Sequence, residues 1–425
     1  MLILLTALIL LLIAGIPVAY ALGLSSLAYF VFVNPDLMSV MPQRVFSGMN
    51  NYALMSLPLF ILMGQVMNAS GITARLIDMS MLLVGRLRGG LGMVNIFSSM
   101  IFGGISGSST SDTASVGAVM IPEMKRRGYA PEFAAGITVA SSTMGMIIPP
   151  SVPVVLYAIV AQESVGKLFL GGLLPGLMIG LLQLAIMFTI AYRRKYPREQ
   201  FALEPGSVLR QLAGFLVVLA MPVAVVGSVV LGIATATESA AIGVVFALVI
   251  GLFIAGRDSI SSLPDSLRTS ILMSARIMVI IAFSQLFVWI LVYERVPEQI
   301  AAVIIDLELG PIAVLLLINV VVLLLGTFID VSPAILLLTP TLLPAVQAAG
   351  VSGLQFGIVL ISGLAVGACT PPVGNCLNVG ATISGLSIGR IFSGAAPFLL
   401  ANVLTLITIS LFPALVEWVP SWWMG

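Results

Sequence analysis

The stretch that decides the fold is GACTPPVGN, residues 367–375, which interrupts an otherwise apolar segment near the end of the chain. A second interruption, GMIIPPS at residues 145–151, has the same Pro-Pro centre and also lies within apolar sequence. Proline lacks the backbone N–H that a helix needs, and it disfavours helix in the residue before it. Both stretches therefore predict helices that break in mid-segment and leave backbone carbonyls without helical partners.

The composition is that of a protein surrounded by lipid. Of the 425 residues, 60% are hydrophobic and 8% are charged, and the mean hydropathy is +1.17. A soluble domain carries about 25% charged residues. Apolar runs of about 18 or more residues recur along the chain, and each predicts a transmembrane helix. The opening residues lack a basic region and continue as a long apolar span, so no cleaved signal peptide is expected.

Several functional classes are excluded by what the chain lacks. There is no histidine, which excludes imidazole proton relays and histidine-ligated metals. No GxxxxGK[ST] motif is present, so no ATP-driven engine is expected. Cys369 and Cys376 are seven residues apart, a spacing that suits neither a CxxC redox pair nor a zinc site. Without histidine or a GxGD aspartate no enzyme is expected, and a net charge of +1 gives no indication of nucleic-acid binding.

Basic residues predict a re-entrant hairpin in the first half of the chain. Cytoplasmic loops are enriched in Lys and Arg, so the basic clusters are expected inside. Only 36 residues separate Arg88 from Lys125, whereas two full crossings need roughly 40 apolar residues and a turn. The midpoint of this segment, GGISGSSTSDTAS, is polar. Residues 91–124 are therefore predicted to turn back at mid-depth, where the turn must be buried in protein or line a cavity.

The remaining spans are predicted to alternate across the membrane, so that 15 of the 18 Lys and Arg residues face the cytoplasm. Residues 73–88 are expected at the cytoplasmic interface, and a piece around Asp306 and Glu308 at the outer one. Arg276 is expected to snorkel to the interface. This topology places the N-terminus in the cytoplasm and the C-terminus in the periplasm. The predicted crossings are 2–33, 51–68, 130–162, 166–192, 207–231, 236–256 and 276–293.

Matching residues at a constant separation predict an internal duplication. Pro122, Gly128, Pro149 and Pro150 recur 222 residues later as Pro344, Gly350, Pro371 and Pro372. The first unit, 1–192, ends on the side where it began, and the linking helix 207–231 then inverts the second unit, 236–425. Each unit contains a re-entrant hairpin and a broken helix: about 91–124 with 130–162, and about 311–345 with 354–385. The predicted fold class is an all-α polytopic membrane protein with two inverted repeats, which is typical of secondary transporters.

Two oxygen-rich nests are predicted where the hairpin tips meet the helix breaks. Asp112 and Asp330 lie at the tips, and a charge at intramembrane depth suggests function. Hard cations prefer carboxylate, carbonyl and similar oxygen ligands, so each nest predicts a sodium site. The first site is expected to use Ser106, Ser108, Ser109, Ser111, Asp112, Thr143, Met144 and Gly145. The second site is expected to use Gly326, Thr327, Asp330, Ser332, Ala368, Thr370 and Gly374.

A small polar anion is predicted to bind between the two nests, through N–H groups and half-helix N-termini. The expected contacts are Ser108, Ser109, Thr110, Pro150, Ser151, Pro372, Asn375 and Asn378. Simpler roles stay open. Gly and Ser permit close helix packing, Asp112 can cap a half-helix, and Asn375 and Asn378 can cap the broken helix. Capping by Asp112 would not exclude contact with an ion.

Four motifs, GISGSSTSDTAS, TATESAA, GTFID and GACTPPVGN, resemble in this order the large membrane subunit of tripartite ATP-independent periplasmic (TRAP) transporters. The resemblance covers essentially the whole chain. It implies a location in the bacterial inner membrane, sodium-driven uptake and an elevator motion in which hairpins and broken helices slide as one body. It also implies two partners, a small four-helix membrane subunit and a soluble extracytoplasmic substrate-binding protein that delivers an organic anion.

A more distant similarity connects the chain with the divalent anion/sodium symporters. Their hairpin tips carry Ser-Asn-Thr where this chain has Ser111-Asp112-Thr113. The second tip reads Asp330-Val331-Ser332 instead, so the ligand assignments there stay open.

The predicted function is sodium-coupled uptake of a small organic anion, a C4-dicarboxylate, a sialic or other sugar acid, or a sulfonate. Two coupled sodium ions are expected, and membrane lipids are further partners. The alternative function is a stand-alone sodium- or proton-coupled anion symporter that needs no binding protein. Proton coupling through Asp112 and Asp330 is the nearest competitor to sodium coupling. A channel and a scaffold are two further functional classes. Paired hairpins that do not cross the membrane argue against a channel.

Overall fold

The computed structural model describes residues 1–196, 205–255, 261–306, 308 and 310–425. Within these ranges the chain forms 20 α-helices and three short 3-10 helices, and no β-strand is present there. The all-α fold class predicted from the sequence is confirmed. Six of the described helices are long and apolar enough to cross a membrane.

The first helices are α1 (Leu2–Ile13), α2 (Val18–Phe32), α3 (Val40–Met49), α4 (Ser56–Ala69) and α5 (Ile72–Val84). The predicted crossing 2–33 is divided between two helices, α1 and α2. Gly15 adopts a positive φ of 79°, and Pro17 removes a helical N–H, so the chain ends one helix and begins another. The helices α1 and α2 pack against each other and form a separate hydrophobic cluster with a later helix, around Leu22, Phe30 and Phe287.

The predicted hairpin 91–124 corresponds to α6 (Gly90–Ser106) and α7 (Ser109–Arg126), which pack side by side. Gly107, at φ 61°, makes the tight turn between them. The predicted broken helix follows as α8 (Pro131–Ser142), a 3-10 turn (Thr143–Met146) and α9 (Val152–Ala161). Helix α10 (Val165–Arg193) then completes the first half. The depth at which this hairpin turns in a bilayer stays a prediction.

The middle of the chain contains α11 (Pro205–Val230), α12 (Ala236–Ala255), α13 (Leu263–Tyr293) and α14 (Val296–Asp306). Residue 256, the predicted end of one span, lies outside the described residues. The span predicted over 276–293 lies within α13, which begins 13 residues earlier at Leu263. In the polar first half of α13, serine hydroxyls donate to carbonyls one turn back, as Ser270 does to Ser266 at 2.7 Å.

The last part repeats the order of the first half. It contains a helical pair, α15 (Pro311–Gly326) and α16 (Val331–Ala348), and then a broken helix, α17 (Gly353–Gly367) and α18 (Asn375–Ser384). Helix α19 (Ile388–Leu411) follows, and α20 (Ala414–Met424) ends the chain. The Pro149–Pro150 and Pro371–Pro372 bonds are both cis. This shared order of elements supports a duplication, and the inversion of one unit relative to the other stays a prediction.

The two halves share one hydrophobic core. Helix α8 packs on α19, and α7 packs on α18, so elements of the first half lie against elements of the second. Tyr157 of α9 donates a hydrogen bond of 2.6 Å to the carbonyl of Gly353 in α17. Outside this core, large apolar side chains face outward, and Phe253 is 85% exposed. Such a surface suits a lipid environment.

Candidate ion and substrate site

The first hairpin tip lies directly against the first helix break. The backbone N–H of Val152 donates to the carbonyl of Gly107 at 3.3 Å. A Cβ added to Gly103 would lie 2.8 Å from the Cα of Gly145, so only glycine allows this approach of the two backbones. The carbonyl of Ser108 also faces Gly145, where a Cβ would lie 3.3 Å from it.

The second tip lies against the second break in the same way. The N–H of Gly374 donates to the carbonyl of Thr327 at 3.2 Å. A Cβ on Gly326 would lie 3.1 Å from the Cα of Gly367, which occupies the position 222 residues after Gly145. Each predicted pair of tip and break is therefore in contact, and the role of these residues as sodium ligands stays a prediction.

The hydroxyl and carbonyl groups of the first break are partly occupied. The Thr143 hydroxyl donates to the carbonyl of Ala140 at 2.8 Å and accepts from the side-chain amide of Asn402 at 2.9 Å. The carbonyl of Met144 accepts from the N–H groups of Ile147 and Ile148. The Thr143 hydroxyl and the Met144 carbonyl, both predicted as ligands of the first nest, therefore already have hydrogen-bond partners.

Asp112 is fully buried, and neither of its carboxylate oxygens has a partner with hydrogen-bonding geometry among the described residues. The Ser99 hydroxyl lies near this carboxyl group. The hydroxyls of Ser109 and Thr113 on the neighbouring turn of α7 are also buried without partners. Buried polar groups are normally paired, so this set of oxygens fits a small cation or a proton.

Asp330 has a different environment from Asp112. It is exposed at the start of α16, where its carboxylate accepts from the N–H of Val331 at 2.9 Å and from the amide of Asn375 at 3.2 Å. It is thus the N-cap of α16. The Thr327 and Thr370 hydroxyls each donate to a carbonyl of their own helix at 2.8 Å. The two aspartates are therefore not equivalent, although they lie in corresponding tips.

A cavity of about 280 Å³ lies between the two tips. Its lining residues from the tips are Ser106, Gly107, Ser108, Thr110, Ser111, Asp330, Val331 and Ser332. The other lining residues are Ile61, Gln65, Met146, Val152, Pro153, Met273, Arg276, Ile277 and Ile280. Residues of both hairpin tips therefore line one cavity, and α4, α9 and α13 supply the other lining residues.

Only two of the predicted substrate contacts, Ser108 and Thr110, line this cavity. The predicted contacts that do not line it are Ser109, Pro150, Ser151, Pro372, Asn375 and Asn378. Ser109 is on the buried face of α7, and Ser151 is buried as the N-cap of α9, where it donates to the Met146 carbonyl. Asn375 reaches the cavity only through its hydrogen bond to Asp330, and Asn378 donates to the Val373 carbonyl.

The sequence analysis did not assign two polar residues that line the cavity, Gln65 and Arg276. Arg276, which the sequence analysis expects to snorkel to the interface, has an exposed side chain that lines the cavity. The signal was available: Arg276 is eight residues, or about 12 Å of helix, beyond Arg268 in an apolar helix. A charge that deep in a span is by default functional.

A buried amide network behind the first break was also missed. The Gln183 side chain of α10 donates to the carbonyl of Ala140 at 3.1 Å and to the amide oxygen of Asn402 at 2.8 Å. Asn402, on α19, in turn donates to Thr143. Both amide side chains are buried. This network fixes the end of α8 from two long helices, one in each half of the chain.

Comparison with known proteins identifies the family. The family model for "Tripartite ATP-independent periplasmic transporter, DctM component" matches residues 5–415. The sialic acid TRAP transporter large permease protein SiaM of Vibrio cholerae is 32% identical over 98% of this chain and 97% of its own length. The C4-dicarboxylate TRAP transporter large permease protein DctM of Pseudomonas aeruginosa is 34% identical over 95% of this chain and 94% of its own length.

The fold also has a counterpart among solved structures. The YdaH transporter of Alcanivorax borkumensis superposes with a TM-score of 0.60, covering 92% of this chain and 90% of that one. The sequence identity is 14%, so this likeness concerns the fold alone. The chain itself belongs to the TRAP transporter family as a large membrane subunit, a multi-pass inner-membrane protein of TRAP-type solute uptake and not an enzyme.

Proposed function

We propose that the chain takes up a small organic anion in symport with sodium ions, by an elevator movement of the hairpins and broken helices. The observation that carries the proposal is that both tips meet at one cavity while each tip contacts its own break. Elements that bind ion and substrate together in this way can couple their movements, because each ligand favours the same arrangement of the tips.

Two sodium ions are proposed, one at each pair of tip and break. The unpaired carboxylate of Asp112 and the hydroxyls near it supply oxygens in the first half. In the second half, the Thr327 and Thr370 hydroxyls retain free lone pairs, and backbone carbonyls of the break lie beside them. Sodium needs only oxygen ligands and no proton exchange, so both environments suit it.

Family membership implies a small membrane subunit and a substrate-binding protein. We propose that the binding protein delivers the anion on the periplasmic side and that the N-terminus is cytoplasmic. The relatives transport sialic acid and C4-dicarboxylates according to their names. The cargo proposed here is an acid of this general kind, a carboxylate or a sulfonate of small size.

The test is uptake by the complete complex in proteoliposomes, with the binding protein and a panel of sialic acid, succinate and isethionate. An inward sodium gradient is expected to drive accumulation of one of these anions. Asp112→Asn is expected to abolish sodium-driven uptake, whereas Glu123→Gln is expected to retain it. Glu123 is a matched control because it lies on the same helix but pairs with Arg126 and Arg127 near the surface. Full uptake by Asp112→Asn would overturn the assignment of the first site.

Proton coupling is the second candidate, favoured by the burial of Asp112 without a charged partner. Uptake driven by a pH gradient in sodium-free buffer would show that protons are the coupling ion, and it would contradict sodium symport. Sodium-driven uptake that continues without the binding protein would instead favour a stand-alone symporter.

A further inference from the structure

Arg276 is the one Lys or Arg residue among the described residues that line the cavity between the tips. It belongs to α13 and lines the same cavity as Ser108, Thr110 and Ser111 of the first tip. Within the described part of the chain, its guanidinium forms no salt bridge and no side-chain hydrogen bond. Asp330, the one acidic residue in the lining, is already held by Val331 and Asn375. The positive charge in the cavity is therefore available to a ligand.

Arg276 lies away from both ends of α13, and its side chain is exposed. On α13 it is about 12 Å from Arg268 and about 26 Å from Tyr293 at the far end. Charged side chains within a membrane-spanning helix face the bundle interior or a water-filled cavity, and they are by default functional. A guanidinium presents a planar fork of N–H donors that matches a carboxylate or sulfonate, and such charge-assisted pairs are strong.

We propose that Arg276 is the residue that recognises the anionic group of the cargo, an inference that rests on the proposed function. The tip hydroxyls and the Gln65 amide then bind the cargo's hydroxyl or second polar group. Gln65 has only a weak contact of 3.9 Å to the Met273 sulfur, so its amide is nearly free. A cavity of 280 Å³ has room for about nine waters at about 30 Å³ each, which suits a small organic acid.

The location of Arg276 on α13 gives the contact a mechanical consequence. Helix α13 packs on α2, α3 and α4 and belongs to neither hairpin, although it also contacts α16. If the hairpins slide relative to α13, the anion loses its counter-charge and is released. Arg276 thus binds the anion in one position of the tips and not in the other.

The test uses the purified full-length chain with its small membrane subunit in lipid nanodiscs, at saturating sodium. Thermal shifts titrated with succinate, N-acetylneuraminate and isethionate give the affinity of each anion. At least one anion is expected to bind the wild type. Arg276→Gln is expected to lower the affinity for that anion by about 10- to 100-fold. Arg276→Lys is expected to show an intermediate loss, because lysine keeps the charge but not the fork. Arg268→Gln, on the same helix and outside the cavity, is expected to bind like the wild type.

The sodium-induced thermal shift of each variant, measured without anion, separates a local from a global effect. An Arg276→Gln variant that keeps the sodium shift and still binds the anion with wild-type affinity would overturn the inference and leave the proposed function intact. If Arg276→Gln fails to fold, Arg276→Lys serves instead. Wild-type anion affinity together with a normal sodium-induced thermal shift in Arg276→Lys would also overturn the inference. If no anion binds the wild type, the proposed function fails and this inference fails with it.

Discussion

At the scale of single residues, position on a helix face decides what each polar side chain of the first tip does. The buried residues of α7 follow the helical spacing Ser109, Asp112, Thr113, Val116 and on to Met120. This stripe faces the core, since residues three and four apart share one face. Ser108 and Ser111 lie off the stripe and line the cavity instead. The residue types of this tip could be read from the sequence. Their positions around the helix decide that the Asp112 carboxylate is buried and that the Ser108 and Ser111 hydroxyls line the cavity.

Substitutions of Asp330 can show whether its side chain stabilises the protein as a helix N-cap or through its negative charge. Asp330→Asn keeps a side chain that caps helices well, so its thermal stability is expected to match the wild type. Asp330→Ala removes the acceptor of the Val331 N–H and is expected to cost about 1 kcal/mol of stability. Thermal unfolding of the two purified variants measures this contrast. Equal destabilisation by both would show that the charge of Asp330 stabilises the tip, against the capping role.

At the scale of helices, the α8–α19 crossing depends on small residues. A Cβ on Gly394 would overlap the backbone carbonyl of Glu132, and backbone cannot move aside as a flexible side chain can. Gly394→Ala is therefore expected to force the helices apart and to cost about 1–3 kcal/mol. Gly389 is a matched control on the same helix, because nothing lies within 4 Å of its added Cβ. Gly389→Ala is expected to leave the unfolding temperature unchanged or slightly raised. An equal loss of stability in both variants would contradict the close packing of α8 on α19 at Gly394.

The amide network behind the first break belongs to the same scale. Asn402→Ala leaves the Gln183 amide with one partner fewer and removes the donor to Thr143, in a buried setting. Its expected cost is about 1–3 kcal/mol, together with weaker sodium binding, because the end of α8 loses its support. Thermal unfolding with and without sodium measures both effects. Thr189→Ala, an exposed hydroxyl bonded only to its own helix, is expected to change neither.

The breaks could be predicted from the sequence because proline acts locally. The bounds of other elements depend on weaker or distant effects. The end of α1 depends on Gly15 with its positive φ, and the polar first half of α13 contains serines whose hydroxyls bond within the helix. The surroundings of Arg276 and Asp112 depend on helices far away in sequence, so composition alone indicated neither the cavity beside Arg276 nor the Ser99 hydroxyl near Asp112.

At the scale of the whole molecule, two similar sets of helices share one core and enclose one cavity. Contacts such as α8 with α19 and α7 with α18 join the halves, so the tips and breaks are expected to move together. Helices α1 and α2 form a separate hydrophobic cluster with the C-terminal part of α13, around Leu286 and Phe287. The part of α13 next to Arg276 packs on the main core instead, through Ile277 and Ile281.

The central claim is that both helical tips turn back inside the bilayer and meet at one cavity. A cryo-EM density map of the complete complex in a lipid nanodisc tests it most directly, with sodium present. The account predicts that Gly107 and Thr327 lie near the middle of the bilayer density, each within hydrogen-bonding distance of its own Pro-Pro break. A map in which either tip reaches the opposite membrane surface, or lies away from its break, would contradict the account.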